Sequence, residues 1–167
     1  NQGGTFALTA QTSADGDNNT GSETRVGDAI RWCVFDFEAD IISLSLGGEQ
    51  DQSASREGPA VSATRQAIDE GIFVVAAAGN DGGSADDGFV SAPGNVNLAI
   101  TVGASNRDGS VWSQSSMGES VDSAGNPRNF PHQKPELTAP GVGIVSTGKD
   151  NQWYSSSGTS DATVFVA

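Results

Sequence analysis

Near its end the chain runs Tyr154-Ser-Ser-Ser-Gly-Thr-Ser160-Asp-Ala-Thr, which sets a serine behind a Gly-Thr turn and directly ahead of an apolar stretch. A serine hydroxyl is a weak nucleophile until a base accepts its proton, and the anion formed on attack needs fixed donors aimed at it. Ser160 is the candidate nucleophile, because a helix start brings backbone N–H groups and the positive end of the helix dipole to the place where that anion forms. Taken alone, a serine in such a run serves equally well as a cap or a loop residue. Asn80 closes the run Ala76-Ala77-Ala78-Gly79-Asn80, where its amide can donate into a site, although an Asn behind a Gly is by itself also an ordinary turn residue. Ser45-Leu46-Gly47-Gly48 closes another apolar run, and its glycines either make a turn or let an extended peptide come close.

These three segments need elements to hold them together. Thr5 to Thr9 reads as a short strand, followed by a loop from Asp15 to Ser22. Val26, Ile30, Cys33, Val34 and Phe37 recur at three- and four-residue steps, which places them on one face of a helix. Asp40 to Leu46 is apolar at nearly every position, as a parallel strand covered on both faces must be. Gly58-Pro59 opens a second helix with Val61, Thr64, Ala67 and Ile68 on one side, and Gly71 closes it. Ile72 to Ala78 and Leu98 to Ala104 are two further buried strands, and Asp108 to Gln133 reads as a long excursion, an exposed loop or a β-hairpin. Strands alternating with helices predict an α/β domain with a mainly parallel sheet. In such sheets sites lie beyond the carboxyl ends of strands, where Ser45 to Gly48 and Gly79 to Asp81 fall.

The 167 residues make one domain, 1–167, and carry 21 acidic against 8 basic side chains, a formal charge of −13. Such a surface repels nucleic acid and anionic membranes, and it matches a halophile, where salt screens the repulsion among carboxylates. No apolar run approaches the roughly 20 residues of a membrane-spanning helix. Cys33 stands alone among apolar neighbours, so it is expected as a buried small hydrophobe and not a reactive thiol.

Together the Ser160, Asn80 and Ser45–Gly48 segments resemble the subtilisin-like serine proteases, the subtilases. The resemblance runs from about Val26 to Ala167 and includes Ser115-Ser-Met-Gly, Lys134-Pro-Glu-Leu, Leu137-Thr-Ala-Pro-Gly-Val142 and Ile144-Val-Ser-Thr147. It implies a three-layer α/β/α fold with the N-terminal part missing, the chain being the C-terminal part of a catalytic domain. It implies a secreted serine endopeptidase acting on polypeptides through Ser160 with Asn80 in the oxyanion hole, to which the acidic charge adds a halophilic and in particular haloarchaeal source. Ser45, Leu46, Gly47 and Gly48 would form the substrate-binding edge, with Ala77, Ala78 and Gly79 facing it across the primary specificity pocket.

The family's catalytic Asp and His segments have no counterpart here and are expected before Asn1, in the missing part of the same domain. His132, the only histidine, lies in the excursion and is expected to be a surface residue and not the base. Asp161 stands where the family has an apolar residue, an acid beside a forming oxyanion, while Val164 and Phe165 continue an apolar helix face. An inactive, peptide-binding or assembly module is the alternative from another class; a split enzyme completed by a separate chain is a third. The α/β-hydrolase elbow needs an acid and a histidine after the serine, so it too would require a truncated chain, and it leaves the Asn80 and Ser45 segments unexplained. No cofactor is required for this chemistry and no metal ligand is assigned. The family often binds structural calcium, but Asp15 to Val26 fails the EF-hand pattern and gives it no site.

Overall fold

The computed structural model describes residues 5–8, 20–48, 58–86, 88–119, 124–127, 129 and 133–167. Five strands lie side by side in chain order, each parallel to the next: β1 (Thr5–Leu8), β2 (Ile41–Leu44), β3 (Phe73–Ala77), β4 (Ile100–Ser105) and β5 (Leu137–Pro140). Helices α1 (Thr20–Phe35) and α2 (Pro59–Asp69) form the first two crossovers and pack on one another. The chain ends in an antiparallel hairpin, β6 (Ile144–Thr147) and β7 (Trp153–Ser156), and a short helix, α3 (Thr159–Val164).

Side chains alternate across a strand, so β3 feeds two cores. Val74 and Ala76 join Ile42, Leu44, Ile30 and Ala63 beneath α1 and α2, whereas Val75 turns to the opposite face with Val102, Ala104, Ala139 and Ala162 of α3. Helices therefore cover both faces, giving the expected three layers. Cys33 is fully buried, and burial pushes its thiol pKa up, in keeping with a packing role.

Several boundaries differ from the sequence reading. The expected loop at Asp15 to Ser22 is corrected in part, since Thr20–Ser22 open α1 and residues 15–19 lie outside the described residues. A polar first turn has no apolar periodicity to betray it, although Glu23 there suits the helix dipole. Phe37 is not on the helix but beyond it, stacked on Trp32 with centroids 5.7 Å apart, after α1 has ended at Phe35. β4 begins at Ile100 and not Leu98, which is exposed with φ 68°.

The excursion after Asp108 is neither wholly exposed nor a simple hairpin. Val111 bridges back to Ser105, and the segment then turns inward, burying Ser115 and Ser116. Their burial follows from backbone groups at strand ends that need partners. The Ser115 hydroxyl accepts from Ala104 N–H at 3.1 Å, and the Ser116 hydroxyl accepts from Asp81 N–H at 3.0 Å.

Candidate active site

β2, β3 and α3 meet where β2 and β3 end, and the predicted residues converge there. Ser160 lies in the first turn of α3, half-buried, and Ser45 follows the last residue of β2. The two are paired reciprocally: the Ser160 hydroxyl donates to the Ser45 carbonyl at 3.1 Å, and the Ser45 hydroxyl donates to the Ser160 carbonyl at 2.8 Å. A carbonyl is no base, so this arrangement holds the Ser160 proton without activating the oxygen. Attack requires a base that takes that proton instead. His132 lies outside the described residues.

Asn80 is exposed just beyond β3, and its amide orientation is fixed by its partners. Its Oδ1 accepts from Thr159 N–H at 2.9 Å and from the Thr159 hydroxyl at 3.1 Å. An N–H can only be met by the oxygen end of an amide, so Nδ2 is the atom left to donate elsewhere. Among the described residues neither Asn80 Nδ2 nor the Ser160 amide N–H has a partner, which leaves two donors open beside the Ser160 hydroxyl. The Thr159 hydroxyl also accepts from Gly79 N–H at 3.1 Å, which ties the end of β3 to the start of α3. Thr159 is fully buried, and nothing in its sequence surroundings distinguished it from a helix-cap threonine.

Gly79 takes φ +108°, a conformation that side chains resist, and a Cβ there would collide with the Ser91 hydroxyl and come within 2.9 Å of the Ser116 hydroxyl. Its carbonyl accepts from Ser116 N–H at 3.0 Å. Ala77 and Ala78 are buried, and the Ala78 carbonyl accepts from Ser91 N–H at 2.7 Å. On the facing side Gly48 and Ala92 exchange both backbone bonds at 3.1 Å, so Gly48 is already paired. Leu46 is half-buried and Gly47 exposed; the backbone groups of Gly47 have no partner among the described residues.

Asp161 turns its carboxylate towards β7, where Oδ1 accepts from the Ser156 hydroxyl at 2.6 Å. Val164 and Phe165 do not continue the buried face of α3. That face is Thr159, Ala162 and Thr163, whose spacing of three and four residues fills it, and the other two are exposed. Among the described residues no group of three or more His, Cys, Asp or Glu side chains is placed to hold a metal ion.

Known proteins place this arrangement. Serine protease AprX of Bacillus subtilis is 33% identical over 90% of this chain and 38% of its own length. Subtilisin DY of Bacillus licheniformis is 33% identical over 90% of this chain and 48% of its own. Among solved structures, the prenylagaramide maturation protease PagA superposes with a TM-score of 0.69 at 23% identity, covering 91% of this chain and 50% of that one, a likeness of fold. The chain thus spans half or less of the length of these relatives. The profile of the subtilase family matches residues 6–167, a longer stretch than the motifs alone suggested, and the chain belongs to that family.

Proposed function

We propose that this chain is the C-terminal part of a subtilase catalytic domain and that the protein carrying it is a serine endopeptidase. The observation that carries the reading is the convergence of an open Asn80 Nδ2 and an open Ser160 N–H beside the Ser160 hydroxyl. Ser160 Oγ attacks the scissile carbonyl of a polypeptide. The carbonyl oxygen becomes an anion that the two donors stabilise, and the Ser160 proton passes to a base supplied by the part of the domain that precedes this chain. Collapse of the intermediate expels the amine with that proton and leaves an acyl-enzyme, which water then hydrolyses.

The substrate lies extended between the backbone at Ser45–Gly47 and the segment Ala77–Gly79, with Gly47 offering the free backbone edge. The chemistry needs no cofactor. The charge of −13 supports an enzyme working in salt.

Replacing Ser160 by Ala in the natural protein tests the reading. Peptide hydrolysis should fall to the residual level that binding and the oxyanion donors alone sustain, roughly 10³-fold above water. Hydrolysis unchanged by that substitution would exclude the Ser160 mechanism, and a natural protein with no hydrolysis to lose would leave the peptide-binding module, or a role in assembly, as the better account.

A further inference from the structure

Asp161 is a half-buried carboxylate beside the reacting centre that the mechanism above does not use. It follows Ser160 in the first turn of α3, and the two side chains leave the helix in different directions. Ser160 is bound to Ser45 beyond the end of β2, whereas Asp161 Oδ1 accepts from the Ser156 hydroxyl of β7 at 2.6 Å. That bond fixes the carboxylate and leaves Oδ2 without a partner among the described residues, none of whose Lys or Arg side chains pairs with it.

Gly158 shows how near Oδ2 stands to the oxyanion donors. The position a Cβ would take there lies 3.6 Å from both ends of the Asn80 amide and 3.7 Å from Asp161 Oδ2, so amide and carboxylate border one patch of backbone that carries no side chain. The acyl half of the substrate occupies the ends of β2 and β3. The β7 side of Ser160, with Ser156 and Asp161, is left for the half that departs as the amine. A fixed carboxylate with an open oxygen attracts a cation, and the cation that can reach it during reaction belongs to the substrate.

We infer that Asp161 determines specificity on the leaving side: it favours Lys or Arg as the residue that supplies the departing amine. The inference rests on the serine-protease reading above and names a substrate class for it. A partly exposed ion pair is worth up to roughly 5-fold, and much of its cost is the ordering of two flexible side chains. Ser156 has already ordered one of them. The charge of −13 attracts basic peptides wherever their cations lie, whereas contact with Asp161 depends on position.

The test uses the natural protein and quenched fluorescent peptides of one sequence carrying Lys, Ala or Glu directly after the scissile bond, and a fourth with Ala there and Lys three residues further on. Mass spectrometry of the products verifies the bond cut, and Ser160→Ala is the control. At low ionic strength kcat/KM should be roughly 5-fold higher for the adjacent Lys than for Ala, lower for Glu, and smaller in gain for the remote Lys. Asp161→Asn keeps an acceptor for Ser156 and should bring the adjacent Lys down to the level of the remote one. Any effect of the Asp161 charge on the forming anion is common to all four peptides and cancels in these ratios. Equal cleavage of the Lys and Ala peptides, a remote Lys as effective as the adjacent one, or a preference that survives in Asp161→Asn overturns the inference; if that cleavage is lost in Ser160→Ala, the protease reading stands. Absence of any Ser160-dependent cleavage overturns both. The wild-type comparison of adjacent and remote Lys decides the question even where Asp161→Asn fails to fold.

Discussion

Thr159 and Asn80 are joined by two hydrogen bonds to a single oxygen: the Thr159 amide at 2.9 Å and the Thr159 hydroxyl at 3.1 Å both end on Asn80 Oδ1. The pair links the end of β3 to the first turn of α3 across 79 positions of sequence. It also decides which end of the Asn80 amide faces the Ser160 side. Pre-aimed donors are what an oxyanion site requires, since a dipole that must rotate during reaction forfeits part of its stabilisation.

Asn80→Ala should lower kcat by about 10²- to 10³-fold with little change in KM, the loss expected when one oxyanion donor is removed; subtilisin is itself the source of that magnitude. Steady-state kinetics of the natural protein separate the two parameters. An equal fall in affinity alone would make Asn80 a binding residue and not a stabiliser of the transition state.

Thr159→Val keeps the shape of a fully buried side chain but removes the partner of Gly79 N–H. An unsatisfied buried donor costs about 1–3 kcal/mol, so the urea midpoint should fall, and Thr159→Ser should recover most of it. Equilibrium unfolding of the three proteins measures both effects.

Asp161→Asn should speed turnover at low ionic strength. The carboxylate is anchored by the Ser156 hydroxyl in the residue after the nucleophile, where a negative charge opposes the forming anion by on the order of 1 kcal/mol, or several-fold in rate. Salt screens that term, so the advantage of the neutral variant should shrink as sodium chloride rises towards molar concentrations. A salt-independent ratio would show that the charge points too far from the reaction to matter.

Lys134→Met should destabilise the sheet by about 1–3 kcal/mol. Lys134 is buried, its ammonium donates to Ala99 O at 2.6 Å and pairs with Glu136 Oε1 at 2.6 Å, and Glu136 Oε2 in turn accepts from Thr101 N–H at 2.8 Å. Removing the ammonium leaves the buried Ala99 carbonyl without this donor, while the half-exposed Glu136 keeps water and Thr101 N–H. Thermal unfolding of the variant checks this.

Cys33 gives a pH dependence of definite sign. Its thiol pKa is raised in the fold by burial, so its contribution is fully present below the unfolded thiol pKa, about 8.5, and is lost as pH rises through and beyond it. Urea unfolding at successive pH values should show stability falling above that point, and the fall should be smaller in Cys33→Ala.

The parallel sheet and its helices were legible because buried strands and amphipathic helices write their period into the chain. Val74 and Val75 serve opposite faces, which is why β2 and β3 read as continuous apolar runs. β5 to β7 were not legible as strands: apart from Ala139 they are largely exposed, so no alternation marks them. Ser160, Asn80 and Ser45 were found through motif resemblance. Thr159, Ser91, Ser115 and Ser116 were missed because their importance lies in contacts with distant backbone, which neither spacing nor composition encodes. Asp161 was flagged as an anomaly, but its tether to Ser156 needed coordinates.

The bond from Gly118 N–H to Lys134 O, at 2.8 Å, makes a neck between residues 118 and 134, just after Ser115 and Ser116 have buttressed the site. The contacts that Ser116 makes with Gly79 and Asp81 therefore enter the fold before the neck. Chain-closure entropy grows slowly, about 0.6 kcal/mol for each doubling of length, so what is carried beyond the neck can change in size at small thermodynamic cost. That makes the interval between Gly118 and Lys134 a natural place for grafting new surface onto the protein.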